Sequence, residues 1–312
     1  MIKITIVPVL CAIFLSFPVI RCSNPEQPSQ KNIAGYDSVY NKKVIVTDTG
    51  NIRDMIFHSS DSEYTHGTID LKDPARLISS FMKCMMVPLT FFDRDTQEEL
   101  KVLIIGLGAG AIPRYLRKQY PRMHIDAVEI DPVVVSVARK YFHVQEDPRY
   151  KIFTDDGRAF LEKTKKRYDI IFLDAYGPGD GGISKVEDLP KQLATIEFFG
   201  LVKSRLADNG ILVSNYIFVN QRHYSSFHLS QKKNFPLIYR FPVKYSNETC
   251  DYNTILVAHK KAVPGFDKNY LLKSISNLKN TVKSDLALGD FMVYFNNDRV
   301  DEGTSVVELH DE

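Results

Sequence analysis

Short apolar runs alternate with amphipathic stretches along the centre of the chain, in the order that βαβ units produce. Four apolar runs have the length of strands, and segments with helical spacing separate them: residues 102–105, 125–128, 150–154 and 168–173. The strand-helix-strand order predicts an α/β fold built on a mostly parallel sheet.

The same pattern extends this sheet at its far end. A helical segment over residues 190–206 precedes an Asp-Asn-Gly turn signal at 208–210 and a fifth apolar run from Ile211. Apolar runs at 235–243 and 253–258 predict two more strands as an antiparallel end, and 266–279 predicts an amphipathic helix.

Before the sheet, residues 44–47 and 53–57 alternate like strands around a turn at 48–51, which predicts a β-hairpin. Asp73-Pro74 predicts the start of a helix that runs to about Val87. We therefore expect a small N-terminal β-domain with a lead-in helix.

The first residues differ from the rest of the chain. An apolar run over residues 4–20 ends at Arg21, which predicts a signal peptide or a membrane anchor over residues 1–22. This segment predicts that the protein is exported or membrane-anchored, and a cytoplasmic location is the alternative. The complete division of the chain is 1–22 leader or anchor, 23–35 linker, 36–95 β-domain and helix, 96–262 nucleotide-binding domain and 263–312 helical tail.

Composition excludes one class of partner. Lysine plus arginine total 40 against 38 aspartate plus glutamate among 312 residues, so no basic field indicates nucleic-acid binding. Cys84 and Cys250 are the only cysteines beyond the N-terminal segment, which does not indicate a disulfide framework.

Candidate chemistry begins where the first central strand ends. The turn Gly106-Leu107-Gly108-Ala109-Gly110 leads into a helix, and glycines there allow backbone N–H groups to approach a nucleotide. Glu129 closes the next strand, where a carboxylate can accept hydrogen bonds from ribose hydroxyls. The glycine spacing alone also fits a nicotinamide dinucleotide.

Two further carboxylates favour a different nucleotide. Asp156 follows the third strand and Asp174 the fourth, so both lie at the edge where ligands bind in an open parallel sheet. An adenosyl sulfonium and an incoming amine both gain from a carboxylate at Asp174, whereas a nicotinamide gains little. As structural alternatives, Asp156 is an N-cap and Asp174 a turn residue.

These residues carry a family resemblance. The block from about residue 36 to 260 resembles the spermidine synthase-like transferases of the methyltransferase superfamily, and the matching segments include VLIIGLGAGAIPRYL, IDAVEIDPVVVSVARKYF, DDGRAFL and RYDIIFLDAYG. The resemblance implies a Rossmann-like, methyltransferase-type sheet with an antiparallel last strand. It also implies site roles: the cosubstrate tail at Gly106, Gly108 and Gly110, ribose at Glu129, adenine at Asp156 and Gly157, and the amine at Asp174.

Three departures from the family pattern concern charge. Ala109 stands where these transferases usually carry an acid, and the helix segment at 76–83 lacks the acid of the diamine-binding triplet. Asp180 is the nearest substitute for the second acid that usually follows Asp174. A dicationic diamine needs several carboxylates to offset its desolvation, so these departures bear on the acceptor.

The sequence thus predicts aminopropyl transfer from decarboxylated S-adenosylmethionine to a small-molecule amine, with Asp174 as the base. Methyl transfer from S-adenosylmethionine is one alternative, and a non-catalytic nucleotide-binding or interaction protein is another. Tyr176, Asp180 and Tyr64 are further pocket candidates, with a mobile lid over residues 176–183. We expect no metal, and a homodimer.

Overall fold

The structure of the protein is a computed structural model, and it contains two β-sheets. The structure describes residues 29–58, 63–92, 99–176, 189–217, 221–244, 252–281 and 308–311, together with 288, 292 and 295. The predicted leader or anchor over residues 1–22 lies outside the described residues and stays a prediction. Within the described part of the chain, no helix is long and apolar enough to cross a membrane.

The N-terminal sheet is an antiparallel meander of four strands in the order β1-β2-β3-β4. The strands are β1 Lys31–Ser38, β2 Lys42–Thr49, β3 Ile52–His58 and β4 Glu63–Asp70. β2 and β3 form the predicted hairpin, and Gly50 takes the turn with φ 61°. Because the apolar side chains of Ile33 and Tyr36 pack on the core, β1 begins inside the range that we predicted to be linker.

The lead-in helix is much shorter than predicted. A single helical turn, α1 Ser80–Cys84, precedes a 3₁₀ helix at Val87–Phe91. The Asp70 carboxylate accepts hydrogen bonds from Lys72 N at 2.9 Å and Arg76 Nη2 at 2.6 Å, which holds residues 70–76 in turns. These side-chain bonds offer the backbone an alternative to the helix.

The second sheet has seven strands in the order β10-β11-β9-β8-β5-β6-β7. The strands are β5 Lys101–Ile105, β6 His124–Glu129, β7 Tyr150–Thr154, β8 Tyr168–Leu173, β9 Leu206–Ile217, β10 Leu237–Lys244 and β11 Tyr252–His259. β5 to β9 are parallel, and β10 and β11 run antiparallel. The predicted fold class, a Rossmann-like sheet beside a small β-domain, is therefore confirmed.

Among the described residues, five α-helices lie between strands of this sheet in sequence: α2 Ala111–Gln119, α3 Pro132–Tyr141, α4 Gly157–Lys163, α5 Ile196–Arg205 and α6 Gln221–Lys232. A further helix, α7 Lys268–Thr281, follows β11. Side-chain oxygens of Asp131, Asp156 and Thr195 cap α3, α4 and α5. The predicted helix over 190–206 starts later, at Ile196. The predicted turn at 208–210 lies within β9, where the pairing with β8 shifts register.

A buried carboxylate joins the two sheets. Asp131, fully enclosed, accepts hydrogen bonds from Val133 N at 2.8 Å, Ser38 Oγ at 2.5 Å and Asn41 Nδ2 at 2.8 Å. The first bond caps α3, and the other two come from the last residue of β1 and from the β1–β2 turn. The N-terminal sheet is thereby held over the carboxyl edge of the large sheet, with Asn41 in the wall of the cavity between them.

Candidate active site

A cavity of about 630 Å³ lies where the carboxyl ends of β5, β6, β8 and β9 meet β4 of the N-terminal sheet. Seven of the residues selected from sequence line it: Gly106, Gly108, Glu129, Asp156, Gly157, Asp174 and Tyr176. The β5–β8 boundary is also the point where the strand order reverses, which is where open α/β sheets bind ligands.

The glycine turn brings two backbones close together. Gly106 has φ 95°, and a Cβ placed there would be 2.1 Å from the carbonyl oxygen of Asp174. Gly108 has φ 49°, and a Cβ there would be 2.9 Å from the carbonyl oxygen of His66. Side chains at either position would separate the turn from β8 or from β4, so glycine is required at both.

Gly110 lies at the start of α2, behind the part of the glycine turn that lines the cavity. It is the N-cap residue of α2 with φ 68°, and a Cβ there would be 2.4 Å from Cγ2 of Val144. Gly110 is not among the residues that line the cavity. Its close contact lies on the side of the hydrophobic core, so the structure supports a packing role for this glycine.

Ala109, at the position where related transferases carry an acid, faces the N-terminal sheet. A Cβ on Gly67 of β4 would be 2.4 Å from the Cβ of Ala109. Ala109 is buried, and both residues line the cavity. The small pair allows β4 to approach the nucleotide turn closely.

The Glu129 carboxylate binds the backbone of the glycine turn. Oε2 accepts hydrogen bonds from Leu107 N at 2.9 Å and Gly108 N at 3.4 Å, and Oε1 accepts one from Asp131 N at 3.1 Å. Burial raises the pKa of Glu129, and the backbone N–H groups oppose that rise. A carboxylate offers about four acceptor sites, so at least one remains for a ligand hydroxyl.

Asp156 and Gly157 form the third corner of the cavity. The Asp156 carboxylate accepts a hydrogen bond from Ala159 N at 2.9 Å, which caps α4. Gly157 begins α4 so close to β5 that a Cβ would be 2.5 Å from Cγ2 of Ile105. The structural role expected for Asp156 is therefore present together with its place in the cavity wall.

Asp174 ends β8 and lies in the wall of the cavity. Its Oδ1 accepts a hydrogen bond from Nδ2 of Asn215 at 2.8 Å. Burial raises the pKa of Asp174, while the Asn215 bond and the nearby His66 ring oppose that rise. A carboxyl group with a raised pKa accepts a proton more readily than an exposed aspartate, as a general base requires.

Two amides that the sequence reasoning missed extend this contact. Asn253 donates from Nδ2 to Oδ1 of Asn215 at 2.8 Å, and the Tyr176 hydroxyl donates to the Asn215 carbonyl at 2.5 Å. Ile217 N in turn donates to the Tyr176 hydroxyl at 3.1 Å. Their positions in the sequence carried a signal: Asn215 and Asn253 are polar residues in otherwise apolar strands, each near the strand end that lies at the ligand-binding edge of the sheet.

Two other predicted pocket residues have different outcomes. Tyr64 pairs with Phe57 in the sheet and does not line the cavity. The register between β3 and β4 shifts at His66, and this bulge brings His66 rather than Tyr64 into the cavity wall. Asp180 and most of the predicted lid lie outside the described residues.

Comparison with known proteins identifies the family. The spermine/spermidine synthase domain matches residues 80–261. The chain is 31% identical over 177 residues to the polyamine aminopropyltransferase of Vibrio vulnificus, which covers 55% of each chain. It is 30% identical over 186 residues to that of Chromobacterium violaceum, which covers 59% of this chain and 65% of the relative. The chain thus spans about half to two thirds of the length of these relatives.

Solved structures share the fold. A probable spermidine synthase from Corynebacterium glutamicum has a TM-score of 0.66 at 18% identity and covers 91% of this chain and 97% of its own. Spermidine synthase from Thermotoga maritima has a TM-score of 0.60 at 20% identity, and the match covers 84% of this chain and 82% of that protein's chain. Human methyltransferase-like protein 13, in complex with SAH, has a TM-score of 0.59 at 24% identity. The match covers 68% of this chain and 99% of that protein's chain.

The domain match covers more than half of the chain and includes every cavity residue from the glycine turn to Asn253. The matched domain is the one that the sequence resemblance implies, and the solved spermidine synthase structures share the fold described above. The chain belongs to the spermine/spermidine synthase family.

Proposed function

We propose that the protein transfers an aminopropyl group from decarboxylated S-adenosylmethionine to an amine. The observation that carries this proposal is the position of Asp174: a partly buried carboxylate in the same cavity as the glycine turn and Glu129. One cavity therefore offers a nucleotide-binding edge and a proton acceptor.

The nucleotide would lie along the carboxyl ends of β5 to β7. Glu129 has acceptor capacity left for a ribose hydroxyl, and Asp156 lies in the adjoining wall, where the adenine amino group would bind. Gly106 and Gly108 let the sulfonium tail approach the backbone. These contacts are the ones that the family resemblance implies, and for Gly110 the predicted contact with the ligand stays a prediction.

The reaction follows from the charges at this edge. The amine nitrogen attacks the aminopropyl carbon next to sulfur, a carbon–nitrogen bond forms, and the carbon–sulfur bond breaks. The electron pair of the broken bond stays on sulfur, so the product is the neutral thioether methylthioadenosine. Asp174 accepts the proton that the amine nitrogen loses, and positioning two cations that repel each other in water supplies further acceleration.

One observation favours a second function, methyl transfer from S-adenosylmethionine. Ala109 offers no carboxylate to the amino group of the nucleotide tail, and Gly67 packs against it. A site without that acid also suits an intact amino-acid tail, which carries its own carboxylate. Glu129, Asp156 and Asp174 would keep their places in either reaction.

Product analysis separates these functions. The full chain is incubated with a panel of amines and either decarboxylated or intact S-adenosylmethionine, and products are identified by mass. Aminopropylated amine together with methylthioadenosine supports the proposal. Methylated product from the intact cosubstrate alone supports the alternative. Nucleotide binding without turnover of any acceptor would favour the non-catalytic interpretation, and binding of NAD alone would contradict the nucleotide assignment.

A further inference from the structure

Residues 308–311 bind α4 and α5, the two helices that begin beside Asp156 and Gly157, and we call this segment the strap. We propose that the strap, through Asp311, positions the adenine-binding wall of the cavity. Nucleotide affinity would then depend on a segment outside the matched synthase domain at residues 80–261. The inference rests on the proposed function for the place of the adenine.

The Asp311 carboxylate binds the first turn of α4. Its two oxygens face the guanidinium of Arg158, two residues after Asp156: Oδ1 accepts a hydrogen bond from Nη1 at 2.7 Å, and Oδ2 accepts one from Nη2. Bidentate pairs of this kind fix the orientation of both groups as well as the distance between them. The Arg158 guanidinium also lowers the pKa of Asp311, so the carboxylate remains charged at neutral pH.

The same residue holds the start of α5. Oδ1 of Asp311 accepts a hydrogen bond from Oγ1 of Thr195 at 2.8 Å, and this hydroxyl oxygen caps α5 by accepting one from Phe198 N at 3.1 Å. The backbone N–H of Asp311 donates to Oε2 of Glu197, in the first turn of α5, at 3.1 Å. One residue of the strap therefore fixes the start of α5 relative to α4.

The neighbouring residues keep the strap in place. Leu309 is partly buried against the hydrophobic cluster that includes Leu193, and its carbonyl accepts a hydrogen bond from Ile196 N at 2.9 Å. The Glu308 carboxylate pairs with the Lys233 ammonium group at 2.6 Å. The carboxylate that binds α4 therefore comes from a segment that is itself anchored to the core and to the end of α6.

The contact with α4 continues into the cavity wall. Nη1 of Arg158 also donates to the carbonyl of Gln192 at 3.2 Å, and Gln192 lines the cavity together with Asp156. Gln192 belongs to a 3₁₀ helix, Lys191–Leu193, that lies just before the cap of α5. The ion pair thereby sets the gap between Asp156 and Gln192, where the adenine would bind. Because binding groups must be held close to their productive geometry, loosening this pair should weaken nucleotide binding.

Binding of two nucleosides to the full chain tests the strap. Calorimetry compares methylthioadenosine with methylthioinosine, in which a carbonyl oxygen replaces the amino group that would donate to Asp156. Asp311→Asn should weaken methylthioadenosine binding about fivefold, which equals about 1 kcal/mol and is the upper range for an ion pair at the surface. Methylthioinosine binding should weaken less, because it lacks the amino group, so the preference for adenine falls.

A second variant and a matched ion pair separate positioning from stability. Arg158→Gln should weaken binding as Asp311→Asn does, and the double variant should bind no more weakly than either, because all three break the same contact. Arg117→Gln and Asp147→Asn break an ion pair whose side chains are 21% and 36% exposed, against 21% and 37% for Arg158 and Asp311. Asp147 lies at the amino end of β7, opposite the edge that binds ligands, so these controls should leave both affinities unchanged.

The possible results distinguish the strap from the proposed function. If the unmodified chain binds methylthioadenosine and folded Asp311→Asn binds it equally well, the strap inference fails and the proposed function stands. Equal weakening for both nucleosides would indicate a general structural contact and would also overturn the inference. If the unmodified chain binds neither nucleoside, the nucleotide assignment fails, and the proposed function and this inference fail with it.

Discussion

Replacing Asp174 by Asn tests the role of the carboxylate with little change in shape. The new amide oxygen can still accept the hydrogen bond from Asn215, which is 2.8 Å long in the unmodified protein. What is lost is the ability to take the proton of the attacking amine. Loss of a general base lowers rates by ~10²–10⁴-fold, about 3–5 kcal/mol in activation free energy.

The same substitution should not weaken the fold. Because burial raises the pKa of Asp174, ionisation of this group opposes folding. The penalty is absent below the ordinary pKa of 3.8, begins as pH rises above it and is complete above the raised value in the folded protein. Asp174→Asn should therefore be at least as stable as the unmodified protein at pH 8, with the difference disappearing as pH falls toward 3.8.

Asp169 provides a matched control on the same strand. Its Oδ2 accepts a hydrogen bond from Lys101 N at 2.8 Å, at the opposite end of β8 from the cavity. Turnover, nucleotide affinity and urea midpoint are measured for Asp174→Asn and Asp169→Asn. The prediction is a rate loss of at least 100-fold confined to Asp174→Asn, with nucleotide affinity preserved. A normal rate in that variant would refute the assignment of Asp174 as the base.

Three further substitutions test the nucleotide site and, through His310, an ion-pair contact away from the cavity. Glu129→Gln should weaken nucleotide binding at least tenfold, about 1.4 kcal/mol, because the ribose loses a charged acceptor; unchanged affinity in calorimetry would reject Glu129 as the ribose ligand. Gly67→Ala should cost ~1–3 kcal/mol of stability and weaken nucleotide binding, because the new Cβ would overlap the glycine turn. Gly35→Ala serves as the control, because a Cβ there would meet only the flexible side chain of Lys43. Hydrogen bonds from His310 to Glu197 and then Glu308 raise the pKa of His310, so its stabilising effect is fully present below the ordinary value of 6.5 and is lost as pH rises through the raised value. The difference in urea midpoint between the unmodified protein and His310→Gln should accordingly be larger at pH 5.5 than at pH 9, and equal differences would contradict this account.

The parts of the fold that local patterns determine are predictable from the sequence alone. Each parallel strand is a short buried run, and Glu129, Asp156 and Asp174 lie at or just after the ends of such runs. Because the carboxyl ends of parallel strands share one edge, the pattern places these three separate positions in one cavity. Their roles in binding and catalysis stay predictions.

Long-range contacts account for what the sequence did not predict. Asn215 and Asn253 are 38 residues apart, and only the antiparallel pairing of β9 and β11 brings their amides together. His66 enters the cavity because of a bulge, which alternation alone does not indicate. In each case a contact between distant segments overrides the local pattern.

Different strands supply different parts of the cavity wall. The positions proposed for nucleotide contacts lie at the ends of β5, β6 and β7, which belong to one parallel core, whereas β4, β9 and β11 supply other parts of the cavity wall. Asp174 lies between the two sets, next to Gly106 on one side and Asn215 on the other. Substitutions in β4 or β11 can therefore alter the charge of the cavity wall without replacing Glu129, Asp156 or Asp174. Ala109 belongs to both sets, because it lies in the glycine turn after β5 and is packed close to Gly67 of β4.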